Sequence, residues 1–116
     1  MNLLNKAIIV AAIMHDGQTD KGGQPYIIHP MRVMQAATTE DERIVAVLHD
    51  LIEDTSHTFN ELRDDGFSEH IIQAIDCLTR RNQESYEQFI DRIMLNPLAA
   101  KVKTLDGGFF MWHMLA

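Results

Sequence analysis

The chain has 116 residues, 46% of them hydrophobic and 23% charged, with one cysteine and a formal net charge of -7. That length and apolar content suit one domain with a single core, and an ordinary charged fraction without low-complexity runs excludes intrinsic disorder. The acidic balance argues against a nucleic-acid polymer as partner, because affinity for a phosphate backbone comes from basic surface; a small phosphorylated ligand stays open where a divalent cation offsets acidic groups locally.

The opening MNLLNKAIIVAAIM is interrupted by Asn5 and Lys6 and closed by His15 and Asp16. It falls short of the roughly 18 to 20 apolar residues of a membrane span, and no small-residue cleavage pattern follows it. A core helix over residues 3–15 is expected, with Leu4, Ile8, Ala11 and Ala12 on one face, and no membrane partner. Cys77 alone can form no internal disulfide, which accords with a reducing cytoplasm.

HDGQTDKGGQPY, residues 15–26, holds three glycines and a proline and predicts a long loop. Pro30 suits the first turn of a second helix, with His29 at its start. Capping boxes at Thr39 with Glu42, Thr58 with Glu61 and Ser85 with Gln88 mark later starts. They predict a third helix over 40–54, a fourth over 60–65, a fifth over 68–79 and a sixth from Ser85 to about 95. Asn96-Pro97 starts a seventh that reaches at least Lys103. No segment alternates as a strand would and no helix-pair repeat is present, so the expected fold class is all-α with about seven helices.

The sharpest chemical feature is LHDLIEDT, residues 48–55, where four ionisable groups follow the apolar run IVAVL. On a continuous helix His49, Asp50, Glu53 and Asp54 span about 140° of arc and form one polar patch. Imidazole and carboxylate are natural ligands of Mn²⁺, Fe²⁺ or Zn²⁺, but a His-Asp pair cannot complete a site alone. His29 and Asp106 are the candidates for the remaining positions. Glu53 and Asp54 are then available to orient or deprotonate a water acidified by the ion. A plain helix end also carries histidine and polar residues, although Glu53 and Asp54 are unfavourable at the negative end of a helix dipole. From spacing alone a metal site and a solvated helix end stand as equal alternatives.

HDGQTDKGG, GGQPYIIHP and LHDLIEDT occur together and in this order, with His29 and His49 twenty residues apart, and are followed by TFNEL, LTRR, SYEQFIDRI and NPLAAKVKTLD. This arrangement resembles the hydrolase domain of the RelA/SpoT family over nearly all of residues 4–106. The resemblance implies a helical HD-domain bundle holding a single divalent cation, commonly Mn²⁺, with Fe²⁺, Zn²⁺ or Mg²⁺ as alternatives. It also implies hydrolysis of a nucleotide phosphate or pyrophosphate ester, the best-known case being removal of the 3′ pyrophosphate of ppGpp. By motif position, His29, His49, Asp50 and Asp106 resemble the metal ligands. Glu53 and Asp54 resemble the pair that activates water, and Lys21, Tyr26, Thr79 and Arg80 fall where relatives line the nucleotide pocket. For Lys21 an exposed loop position and for Tyr26 simple packing on the core remain equal alternatives. His15 is expected to organise the loop, His57 and His70 to lie at the surface, Arg81 to complement a helix dipole, and Cys77 to act as a small core hydrophobe.

Two departures from the family pattern carry expectations of their own. Asp20 stands where relatives have an arginine, placing a carboxylate where a phosphate or guanine contact is expected. After Asp106 the chain reads GGFFMWHMLA, with Phe110 where relatives have an asparagine, and the two helices that normally follow are missing. The expected organisation is therefore a phosphohydrolase domain over 1–106 and an apolar tail over 107–116 that covers the core or pairs with a second copy as a homodimer. Gly107-Gly108 is expected to end the last helix just after Asp106. The alternative function is a catalytically weak or inactive relative that binds a nucleotide or a protein partner in the same pocket.

Overall fold

The structure is a computed structural model in which residues 1–107 are described. Its helices run α1 (Leu3–Met14), α2 (Ile28–Ala36), α3 (Glu40–Leu48), α4 (Leu51–Asp54), α5 (Phe59–Asp64), α6 (Glu69–Leu78), α7 (Tyr86–Met94) and α8 (Pro97–Asp106). The all-α expectation holds, and among the described residues the sole β-type pairing is an isolated bridge between Thr19 and Pro25. The apolar tail, with Phe110 and His113, lies outside the described residues. None of the described helices is long and apolar enough to cross a membrane.

Six of the eight described helices start at a side-chain cap; α2 and α4 have none. Asn2, Thr39, Thr58, Ser68, Ser85 and Asn96 each accept a hydrogen bond from an orphan amide of the following first turn. The expected capping boxes close fully at Thr58 with Glu61 and at Ser85 with Gln88. The one expected at Thr39 is half made. Thr39 accepts from the Glu42 amide, but the Glu42 carboxylate reaches one residue further back, to the amide and hydroxyl of Thr38. Glu40, Asp41 and Glu42 together suit the positive end of the α3 dipole.

The helix expected over 40–54 is instead two. It stops at Leu48, turns through His49 and Asp50, and restarts as the single turn α4. The carbonyl of Ala46, which would receive the Asp50 amide in a continuous helix, accepts from His49 Nδ1 at 2.6 Å. A side chain that bonds its own backbone in this way competes with the helical ladder. The arc calculated for a continuous helix therefore does not apply to the four ionisable groups.

Helix α3 is the centre of the bundle and packs against α1, α2, α6 and α8. Ile44 through Leu48 are all buried, so the C-terminal half of this helix is apolar around its circumference instead of along one stripe, while its first turn, Glu40 to Arg43, is charged. Ile71, Ile72, Ile75 and Leu78 of α6, Phe89, Ile90 and Ile93 of α7, and Ala99 and Val102 of α8 complete the core. Ile75 is fully buried, so Ile75→Ala is expected to destabilise the fold by about 2–5 kcal/mol. Urea denaturation at constant m-value checks this.

Candidate metal centre and adjoining cavity

Three helix ends meet at one point. His29 lies in the first turn of α2, His49 and Asp50 occupy the turn between α3 and α4, and Asp106 is the last residue of α8. Gly107, at φ +95°, ends α8 immediately after Asp106, as the paired glycines led us to expect, since a side chain is strained in that conformation. His49 Nε2 is 3.2 Å from Asp50 Oδ2 and 3.7 Å from Asp106 Oδ1, while His29 Nε2 is 2.7 Å from Asp106 Oδ1 and 4.0 Å from Asp50 Oδ2. Single ligand atoms from His29, His49 and Asp50 lie within 4.8 Å of one another, a grouping able to hold a metal ion.

The residues fit such an ion on their own chemistry. His49 is only 4% exposed, and its Nδ1–H donates to the Ala46 carbonyl, which fixes the tautomer and leaves the Nε2 lone pair facing the cluster. That Nε2 is buried without a hydrogen-bond partner, and it faces Asp106 Oδ1, also buried, which has His29 Nε2 at 2.7 Å. A bare buried acceptor facing a carboxylate is costly unless a cation or proton lies between them. Burial works against a charged His49 ring, but the neighbouring Asp106 and Asp50 carboxylates outweigh it and its pKa is raised. Burial likewise opposes an ionised Asp106, yet His49, His29 and Lys103 bring its pKa below the usual value. Both shifts mark a pocket that attracts positive charge. Two imidazoles and two carboxylates form a mixed nitrogen and oxygen set suited to Mn²⁺, Fe²⁺ or Zn²⁺.

The 15–26 loop braces this cluster from behind. Gln18 bridges outward, accepting from His15 Nδ1 at 2.9 Å and donating to the Asp54 carbonyl at 2.7 Å. The Tyr26 hydroxyl donates to Asp50 Oδ2, and its ring lies between those of His15 and His29, with centroids 5.0 and 6.0 Å away. Burial first, then the Asp50 bond and the Asp50 and Asp54 charges, raise the Tyr26 pKa, so the hydroxyl remains a donor. His15 is buried and organises the loop, as its sequence position suggested.

Glu53 accepts from the Arg80 backbone amide, tying α4 to the connection between α6 and α7. A cavity of about 250 Å³ adjoins the cluster, lined by His49, Asp50, Glu53 and Asp106 together with Leu78, Arg80, Tyr86, Phe89 and Lys103. Of the residues named from the family pattern for the nucleotide pocket, Arg80 lines this cavity. Lys21 is exposed in the loop, Tyr26 is engaged with Asp50, and the Thr79 hydroxyl donates back to the Ile75 carbonyl at 2.8 Å. The Asp20 carboxylate is occupied locally, accepting from the Gly22 and Gln24 amides at 2.8 and 2.9 Å, so it shapes the loop. His57 departs from its expected surface position: it is largely buried, and its Nε2 sits 2.9 Å from Asp65 Oδ2 because the short α5 folds back over it. His70 is exposed.

Sequence reasoning missed Lys103, Phe89 and Arg92. Lys103 lies three residues before Asp106, hence on the same helix face, which was the available signal. Arg92 carries no motif, yet it organises the cavity wall. Its guanidinium donates to both Glu84 carboxylate oxygens at 2.7 and 2.9 Å and to the Asp76 and Thr79 carbonyls at 3.0 and 2.9 Å, clamping the connection that carries Arg80.

No protein-family model matches the chain. In sequence it is 32% identical over 89 residues to a GTP pyrophosphokinase of Myxococcus xanthus, covering 73% of this chain and 12% of that protein. It is 31% identical over 88 residues to a guanosine-3′,5′-bis(diphosphate) 3′-pyrophosphohydrolase of Aquifex aeolicus, covering 72% and 12%. Identity rises to 38% over 63 residues with the bifunctional (p)ppGpp synthase/hydrolase SpoT of Escherichia coli, covering 51% and 9%. The matches thus span about a tenth of these longer proteins. In structure the chain matches a metazoan ortholog of SpoT, described as hydrolysing ppGpp, at a TM-score of 0.76 and 21% identity, over 91% of this chain and 66% of that one. That likeness establishes the common fold.

Two predictions follow from this geometry. Tyr26→Phe removes the donor that orients Asp50 and is expected to weaken Mn²⁺ binding about tenfold by isothermal titration calorimetry while leaving far-UV circular dichroism unchanged. The Arg92 guanidinium holds the Glu84 carboxyl down at about 2 against an ordinary 4.5. A depressed carboxylate pKa stabilises the fold above the ordinary value, and that contribution is lost as pH falls through the folded one. The urea midpoint of Glu84→Gln should therefore lie below that of the unaltered protein at pH 6, and the gap should close between about pH 4.5 and 2.

Proposed function

We propose that the chain is a RelA/SpoT-like HD-domain hydrolase, a metal-dependent phosphohydrolase of a small nucleotide with a (p)ppGpp 3′-pyrophosphohydrolase-like reaction as the leading case, a reading supported by its similarity to the relatives above. The observation that supports this reading is the convergence of His29, His49, Asp50 and Asp106, with His49 Nε2 buried and unpartnered 3.7 Å from the buried Asp106 Oδ1. Those four residues would hold the ion, with Mn²⁺ the metal to test first. When bound, it supplies Lewis-acid polarisation of a phosphoryl oxygen and acidification of water.

The chain's own residues divide the remaining work. Glu53 has Oε1 committed to the Arg80 amide, so its carboxylate is fixed at the cavity edge and Oε2 is left to take a proton from the attacking water. Asp54 sits beside the Tyr26 hydroxyl and supports that acidic edge. Arg80 brings a guanidinium to the cavity for substrate phosphate. In an acidic protein this division matters: carboxylates hold the ion, and the few cations near it face the substrate.

Metal analysis of the purified protein, together with Mn²⁺-dependent release of phosphate or pyrophosphate from a nucleotide panel that includes ppGpp, tests the proposal. Turnover is expected, and Asp50→Asn is expected to lower kcat/KM by more than about 100-fold and to weaken metal binding. Activity that survives complete metal removal refutes the mechanism; metal binding without turnover on any nucleotide favours a binding domain built on the same site.

A further inference from the structure

We propose that Lys103 is a substrate-binding residue, its ammonium holding a phosphoryl oxygen of the group transferred to water, beside Asp106 in the cavity. The assignment rests on the phosphohydrolase reading above and deepens it. The pyrophosphate released by such a hydrolysis carries several negative charges, whereas the cavity lining includes the carboxylates of Asp50, Glu53 and Asp106. Among the described residues that line the cavity, positive charge comes from Arg80 and Lys103. Arg80 is exposed and its guanidinium reaches toward the Glu84 carbonyl at 3.3 Å.

Lys103 is placed differently. It lies one turn before Asp106 on α8, its side chain is 22% exposed, and its Nζ is 3.8 Å from Asp106 Oδ2. That distance exceeds hydrogen-bond range, so the ammonium's donors are not consumed by the carboxylate. Nζ also stands 5.9 Å from the centre of the Phe89 ring, whose face supports a cation and excludes water on that side. One helix face therefore presents a carboxylate to the metal position and an ammonium to the adjoining space. A phosphate chain with one oxygen at the metal position would meet Lys103 with the next.

Pyrophosphate itself is the probe. With Mn²⁺ present, titration calorimetry is expected to show that Lys103→Met weakens pyrophosphate binding about tenfold or more. Lys103→Arg should retain most of the affinity, and Mn²⁺ binding without pyrophosphate should stay within about twofold in both variants. Thermal melts establish that each variant is folded, and KM for the hydrolysed nucleotide should rise more than kcat falls. Unchanged pyrophosphate affinity in a folded Lys103→Met overturns the assignment, as does an equal loss of Mn²⁺ affinity, which would make Lys103 a positioning residue for Asp106. If the unaltered protein binds Mn²⁺ but no pyrophosphate, the assignment falls while the metal site stands. If it binds no Mn²⁺, the parent reading falls and takes this one with it.

Discussion

A helix that is buried on every side has to end inside the protein, and whatever polar group stands at that end must find its partners there. The C-terminal half of α3 is such an element: five consecutive buried apolar residues lead directly into His49. The imidazole meets the requirement on one side by donating to the Ala46 carbonyl. Its other nitrogen has no hydrogen-bond partner and faces the carboxylates of Asp50 and Asp106. Hydrophobic burial thus fixes His49, and His29, Asp50 and Asp106 are arranged around it.

The arrangement that results is acidic at its centre and supported from outside. Rings of His15, Tyr26, His29 and His49 lie in succession from the end of α1 to the end of α3, and hydrogen bonds from Gln18 and Tyr26 tie the loop to α4 and Asp50. The Asp50 and Asp106 carboxylates raise the His49 pKa, and His49, His29 and Lys103 lower that of Asp106, so the two kinds of group favour each other's charged forms.

The same acidic protein also brings cations to the cavity. Arg92 spends its guanidinium on Glu84 and two carbonyls and so acts as structure, whereas Arg80 and Lys103 reach the cavity. Helix α8 contributes Asp106 and Lys103 on one face, and the connection after α6 contributes Arg80. Both signs of charge therefore line one space.

Local signals in the chain were enough for the helices. Capping residues, the proline after Asn96 and the glycine after Asp106 act through neighbouring amides and allowed dihedral angles, so they are legible without knowing the fold. Resemblance of the linked histidine and carboxylate motifs pointed to the four residues that converge. By itself the sequence could not show that α3 breaks at His49, that Asp20 is absorbed by its own loop, or that Tyr26 serves Asp50. Each of these depends on which acceptor a side chain reaches first, a competition decided by distance. Nor could it show that Lys103 and Phe89, fourteen residues apart, line one cavity with Glu53. Helix formation is set by contacts a few residues along the chain, whereas the cavity is set by how α4, α6, α7 and α8 pack around a buried α3, and only the tertiary structure contains that information.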